Sequence, residues 1–122
     1  MTLKHDCVRE TLLYLEKNLT FDTPIYSPNI QIKNFSSKDI NYTIAKLKEA
    51  GYINTEFDRG NNITNYYIQS ITWNGHQFLD NIRDSKVWTL TQKIISGLSS
   101  VSITMIENIA AQVITNLIKI NM

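Results

Sequence analysis

Residues Lys46–Ile53 read KLKEAGYI, and a change of periodicity inside this stretch decides the fold. Leu47 closes a stripe begun by Ile40 and Ile44, the spacing of one buried helix face. Gly51 then supplies the residue that most readily turns left-handed at a helix end, and Tyr52 and Ile53 open a run with strand character. Working backward, Ser36 or Ser37 is placed to cap this helix, with Asp39 in its first turn. Working forward, Tyr52–Phe57 and Asn65–Ile71 flank the turn-rich DRGNN, which predicts a β-hairpin with its tip near Arg59 to Asn62.

The elements on either side follow the same rules. Leu3, Cys7, Val8, Leu12, Leu15 and Leu19 form a helical stripe that predicts a first helix over Leu3–Leu19, with Thr2 as its cap, Asp6 in its first turn and Leu13 left exposed. TFDTPIYSPNIQIKNF, Thr20–Phe35, holds both prolines and ends in Ile30 and Ile32 alternating with Gln31 and Lys33, which predicts a loop and then a short strand. After the hairpin, Thr72 is placed to cap a third helix with Phe78, Leu79 and Ile82 inward, and Gly75 implies a close approach of another element. Ser85 or Lys86 to Ser96 predicts a fourth helix, broken at Gly97. Ser102–Ile120 predicts a fifth, apolar over about half its circumference. The fold class is therefore α+β, mostly helical, a helix-strand-helix-hairpin core over 1–84 with a C-terminal helical extension over 85–122 in the same domain.

Composition narrows the function. At 122 residues the chain has the size of one domain with a single core. Twelve Lys plus Arg against eleven Asp plus Glu give a net charge of +1, without the basic excess common in nucleic-acid binders. The single Cys7 forms no internal disulfide, the charged start MTLKHDCVRETLL lacks a signal-peptide core, and the expected compartment is the cytoplasm. The longest uncharged run, Ile94–Ile106, is thirteen residues with Ser96, Ser99, Ser100, Ser102 and Thr104, too short and polar to span a bilayer.

The helix end LKEAGYI resembles the end of the recognition helix in many winged-helix proteins. With DCVRETLLYLE at the start, the Thr-capped IT-x-x-G-x-x-FL and FLDNIRDSKVW after the hairpin, the chain resembles, over nearly its whole length, an uncharacterised prophage-associated family of Gram-positive bacteria, domain-of-unknown-function family 2513. The resemblance implies a winged helix with the hairpin as wing, often encoded by phages and mobile elements, and brings no activity or binding residues with it. One feature departs from a helix-turn-helix: only SSKD separates the predicted strand from Ile40, so the helix that normally crosses the DNA backbone is nearly missing.

Several groups of residues in the sequence are candidates for chemistry. On the outward face of the second helix, Lys38, Asn41, Tyr42 and Lys46 are suited to bases and phosphates, and Arg59 at the hairpin tip is suited to a minor groove. From Ser36 to Arg59, however, Lys38, Lys46, Lys48 and Arg59 are balanced by Asp39, Glu49, Glu56 and Asp58. His5 and Cys7, two apart on a helix, point away from each other, no second Cys completes a tetrahedral set, and no metal or other cofactor is expected. His76 and Asp80 are four apart and can share a helix face, yet no third partner, nucleophile motif or phosphate loop accompanies them, so no enzyme is expected. Trp73 and Trp88 are assigned to the edge of the core. Ile106, Ile109, Val113 and Leu117 on the last helix predict a homodimer face. The reading is a non-enzymatic DNA-binding regulator of a phage or mobile element. Its alternative is a phage-encoded protein-interaction module that inhibits a host regulator or defence enzyme. DNA and a host protein are thus the two candidate partners, and a membrane is not one.

Overall fold

The computed structural model describes residues 2–60 and 62–121. They form a mostly helical α+β protein in the order α1 His5–Asn18, β1 Ile25–Tyr26, a one-turn 3₁₀ helix Ser27–Asn29, α2 Ser37–Glu49, β2 Ile53–Gly60, β3 Ile63–Ile71, α3 Trp73–Ile82, α4 Ser85–Ile95 and α5 Ile103–Ile120. Two compact units divide the chain, the first ending at His76 and the second beginning at Gln77.

The first unit is built on α1, α2 and a three-stranded antiparallel sheet of order β1-β3-β2. Cys7, Val8, Leu12 and Leu15 of α1 are buried, as are Ile40, Ile44 and Leu47 of α2, Ile53 of β2 and Ile68 of β3. Each large aliphatic side chain so buried contributes about 1.5–3 kcal/mol. The helix α1 starts at His5 with Lys4 at its N-cap and no side-chain cap, so Thr2 does not have the capping role its position suggested.

The strand expected at Ile30–Lys33 lies instead at Ile25–Tyr26, paired with Ile68 and Tyr67 of β3. Pro28 sits in the 3₁₀ turn that follows, and Ile30, whose N–H donates to Ser27 O at 3.1 Å, is buried without joining the sheet. The alternation of Ile30 and Ile32 is a burial pattern of a loop, because the backbone pairing is already provided upstream. Ser27 Oγ accepts from Tyr66 N at 3.0 Å, which ties the 3₁₀ turn to β3.

The helix α2 is fixed at both ends by the residues that predicted it. Ser36 Oγ accepts from Asp39 N at 3.1 Å while Ser36 N donates to Asp39 Oδ2, a reciprocal cap, and Lys4 Nζ reaches the same carboxylate at 3.0 Å. Gly51 has φ +78°, the left-handed turn that lets Tyr52 N donate back to Leu47 O at 2.9 Å. The hairpin strands run farther than the pattern indicated: Arg59 pairs with Thr64 and Gly60 with Ile63, so Arg59 is a strand residue and not the tip. Of the expected tip, Asn61 lies outside the described residues, and Asn62 follows with φ 65°.

Thr72 caps α3 as expected, accepting from Gly75 N at 3.1 Å and donating to Gly51 O at 2.6 Å. A Cβ on Gly75 would stand 2.1 Å from Tyr52 O, so the close approach that the glycine implied is real. Trp73 does not cover core: it is 77% exposed, whereas Trp88 is buried.

In the second unit Asp84 Oδ1 accepts from Lys86 N and Val87 N at 2.9 and 3.0 Å, capping α4. Ser102 Oγ caps α5 through Met105 N at 3.1 Å. The helices α4 and α5 pack on each other, with Val87, Trp88 and Thr91 buried on one and Ile106, Ala110 and Val113 on the other. Ile106 is 0% and Val113 6% exposed, so these two residues of the expected dimer face are already covered by their own chain. No helix among the described residues is long and apolar enough to cross a membrane.

Candidate nucleic-acid interface

The stripe Tyr42, Ala45, Lys46 and Glu49 of α2 faces the hairpin across a cleft of about 280 Å³. Phe57 and Arg59 of β2, with Thr64 and Tyr66 of β3, form its other wall. The strand period of two explains which hairpin residues face the cleft: Phe57 pairs with Tyr66 and Arg59 with Thr64, so all four share one face of the ribbon. Glu56 and Asp58 pair with Tyr67 and Asn65 on the opposite face. There Asp58 Oδ2 accepts from Tyr67 OH at 3.1 Å, a bond that raises the tyrosine pKa above its usual value, and Tyr67 stacks on Tyr26 with ring centroids 4.7 Å apart.

The neutral balance read along the sequence is therefore not the balance in space. Lys46, Lys48 and Arg59 line the cleft against the single carboxylate of Glu49, while Asp39 is engaged by Lys4 and by its cap. Glu49 Oε2 lies 2.8 Å from Lys46 Nζ, and this hydrogen bond shifts the lysine pKa upward. Lys48 Nζ stands 4.9 Å from the centre of the Phe57 ring, and Lys46 Nζ 5.5 Å from that of Tyr42, both cation–π distances. Arg59 has no ion-pair or hydrogen-bond partner among the described residues, which leaves a guanidinium at the mouth of the cleft.

Of the five residues expected at a nucleic-acid interface, Tyr42, Lys46 and Arg59 come together here. Lys38 lines a separate cleft of about 270 Å³ with Pro28, Ile63 and Asn65. Asn41 stands between the two, and its Nδ2 donates to Thr64 O at 2.8 Å. That bond holds α2 against β3, so Asn41 helps to position the walls of both clefts. Lys48, Phe57 and Tyr66 were not singled out from sequence; the two-residue spacing of Phe57 and Arg59 was the available signal for the face they share.

The family model described as "Hypothetical protein (DUF2513)" matches residues 2–102. The chain belongs to the DUF2513 family. It is also similar to an "Uncharacterized protein" of Haemophilus influenzae (strain ATCC 51907 / DSM 11121 / KW20 / Rd), 26% identical over 114 residues, covering 93% of this chain and 95% of that protein. No solved structure matches. The matched stretch of the family model contains both walls of the cleft and ends one residue before α5.

The other constellations do not assemble. Cys7 is fully buried, with Thr43 Oγ1 3.2 Å from its Sγ, and is a core residue. Among the described residues no three His, Cys, Asp or Glu side chains are grouped so that they could hold a metal ion. Asp80 accepts from Arg83 Nη1 at 2.6 Å, and His76 borders a cavity beside α1.

Proposed function

We propose that the chain is a winged-helix DNA-binding regulator of a phage or mobile element, acting in the cytoplasm, with α2 as the helix that meets the major groove and the β2–β3 hairpin as the wing. The observation that carries the reading is the sorting of charge at the hairpin: three cations and three aromatic rings face the cleft, and Glu56 and Asp58 face away. The sheet order β1-β3-β2 with α2 before the hairpin supports the winged-helix reading. The 3₁₀ turn Ser27–Asn29 stands where a backbone-crossing helix would, so phosphate contacts fall to Lys38, Lys46, Lys48 and Arg59.

A single copy with so few contacts binds DNA weakly, and we propose that two copies act together through α5. With Ile106 and Val113 covered, the face falls to Ile109 and the exposed Met105 and Ile120, which lie along one edge of the buried stripe. A gel-shift with a mixed-sequence duplex, repeated across a salt series, tests the function. The Lys38→Glu/Lys46→Glu double variant is expected to lose at least about tenfold in affinity and to show a shallower salt slope. Unchanged affinity would remove the proposal.

A second reading has its own support. Phe57 and Ile63 are 55% and 58% exposed on the hairpin, and exposed apolar groups on a near-neutral module also suit a protein partner, here a host regulator or defence enzyme. Capture of a host protein by the wild type, lost in Phe57→Ala and accompanied by no duplex binding, is the outcome that favours it.

A further inference from the structure

The two walls of the α2–hairpin cleft are joined at both ends. At one end the chain turns at Gly51 from α2 into β2, and toward the other Asn41 Nδ2 donates to Thr64 O at 2.8 Å. Between them lies a slot of about 280 Å³ whose width is held from both sides. A double helix cannot enter it, whereas a single flat group can. Aromatic rings supply the apolar lining: Phe57 is 55% exposed, and Tyr42 and Tyr66 are half-buried. Cations stand around these rings. Lys48 Nζ is 4.9 Å from the centre of the Phe57 ring and Arg59 is at the mouth, and neither is paired with a carboxylate among the described residues. The one carboxylate of the lining, Glu49, is engaged by Lys46 at 2.8 Å. Rings flanked by cations in this way select a ligand that is planar and carries negative charge at its edge, the chemistry of a base attached to its phosphates.

We infer that the cleft takes one unpaired DNA base, stacked on Phe57, with the neighbouring phosphates held by Lys48 and Arg59. The inference rests on the DNA reading, in which α2 meets the major groove and the hairpin lies beside it, so that the backbone of one strand crosses the mouth of the cleft. Drawing a base out of an intact duplex breaks its pairing and stacking, and a single stack on a protein ring does not return more than that costs. A base without a partner gives up less and enters. DNA that carries unpaired bases within a duplex is therefore preferred to DNA that is paired throughout.

Fluorescence anisotropy on the full chain tests it with three labelled probes: a mixed-sequence duplex, the same duplex with a central bulge of thymidines, and the same duplex with an equally long bulge of abasic residues. The two bulges match in charge and differ only in their bases. The thymidine bulge is expected to bind about tenfold tighter than the abasic one, the scale of one base–ring stack. Phe57→Ala is expected to erase that ratio with little change in melting temperature, since the ring is largely exposed, and Phe57→Trp is expected to keep it. Equal binding of the two bulges by the wild type, or a ratio that survives Phe57→Ala, would overturn the inference while binding of the paired duplex leaves the DNA reading in place. Failure of all three probes to bind would remove the DNA reading and this inference with it.

Discussion

At the scale of single residues, Gly75 is the sharpest constraint in the first unit. A methyl group there meets Tyr52 O and Ile71 Cγ2 at 2.1 and 2.7 Å, the first just before β2 and the second the last residue of β3. Neither backbone oxygen nor packed branch can retreat cheaply, so Gly75→Ala is expected to lower stability by about 2–4 kcal/mol, read as a shift in the urea midpoint with an unchanged slope. Asp39 makes a different prediction. Its hydrogen bond from Lys4 Nζ, assisted by the backbone and hydroxyl of Ser36, holds its pKa below the ordinary 3.8. A carboxylate whose folded pKa is depressed adds stability that is fully present above the unfolded value and is lost as pH falls through the folded one. Acid melts should therefore lose this increment below about pH 3.8, and Asp39→Asn should remove it at neutral pH, leaving a flatter profile in which high salt has less effect. Both residues were legible in the sequence, Gly75 from its place one turn after a capping threonine and Asp39 from its place three residues after Ser36. The Asn41 bond to Thr64 O was not, because it joins residues 23 apart whose approach depends on where the hairpin lies.

At the scale of elements, the helices were readable because their caps and apolar spacing are local. Ser36, Thr72, Asp84 and Ser102 each start a helix at a definite residue, and three of the four accept through a hydroxyl. The first strand was misread for a physical reason: Ile30 is buried, as an alternating pattern implies, but the partner edge of β3 is taken by Ile25 and Tyr26. Burial and ladder pairing are separate properties, and a short run of sequence reports only the first. The last helix shows the same limit. Its apolar width was visible, but which edge is spent inside the chain was not, and Ile106 with Val113 turned out to be that edge. Dimerisation through the other edge predicts that the wild type elutes by light scattering at twice 14.1 kDa and that Met105→Glu/Ile109→Glu elutes at 14.1 kDa with helical content retained. A wild type that is monomeric at high concentration would refute the α5 interface.

At the scale of the whole molecule, function turns on how the fold distributes a nearly neutral charge. Counting along Ser36–Arg59 cancels cations against carboxylates, but the ribbon places Arg59 toward α2 and its neighbour Asp58 toward Tyr67. The alternation itself was in the sequence; what was missing was which face meets the helix, and that is set by Asn41, Thr64 and the pairing with β1. The proposed interface thus rests on a sign difference between two adjacent residues, and the most direct measurement compares them. Fluorescence anisotropy with a labelled duplex at low salt should show binding nearly abolished in Arg59→Glu and little changed in Asp58→Lys, although the second substitution adds two positive units to the chain and the first removes two. Equal and opposite effects, tracking net charge instead of face, or no duplex binding by the wild type, would contradict the account.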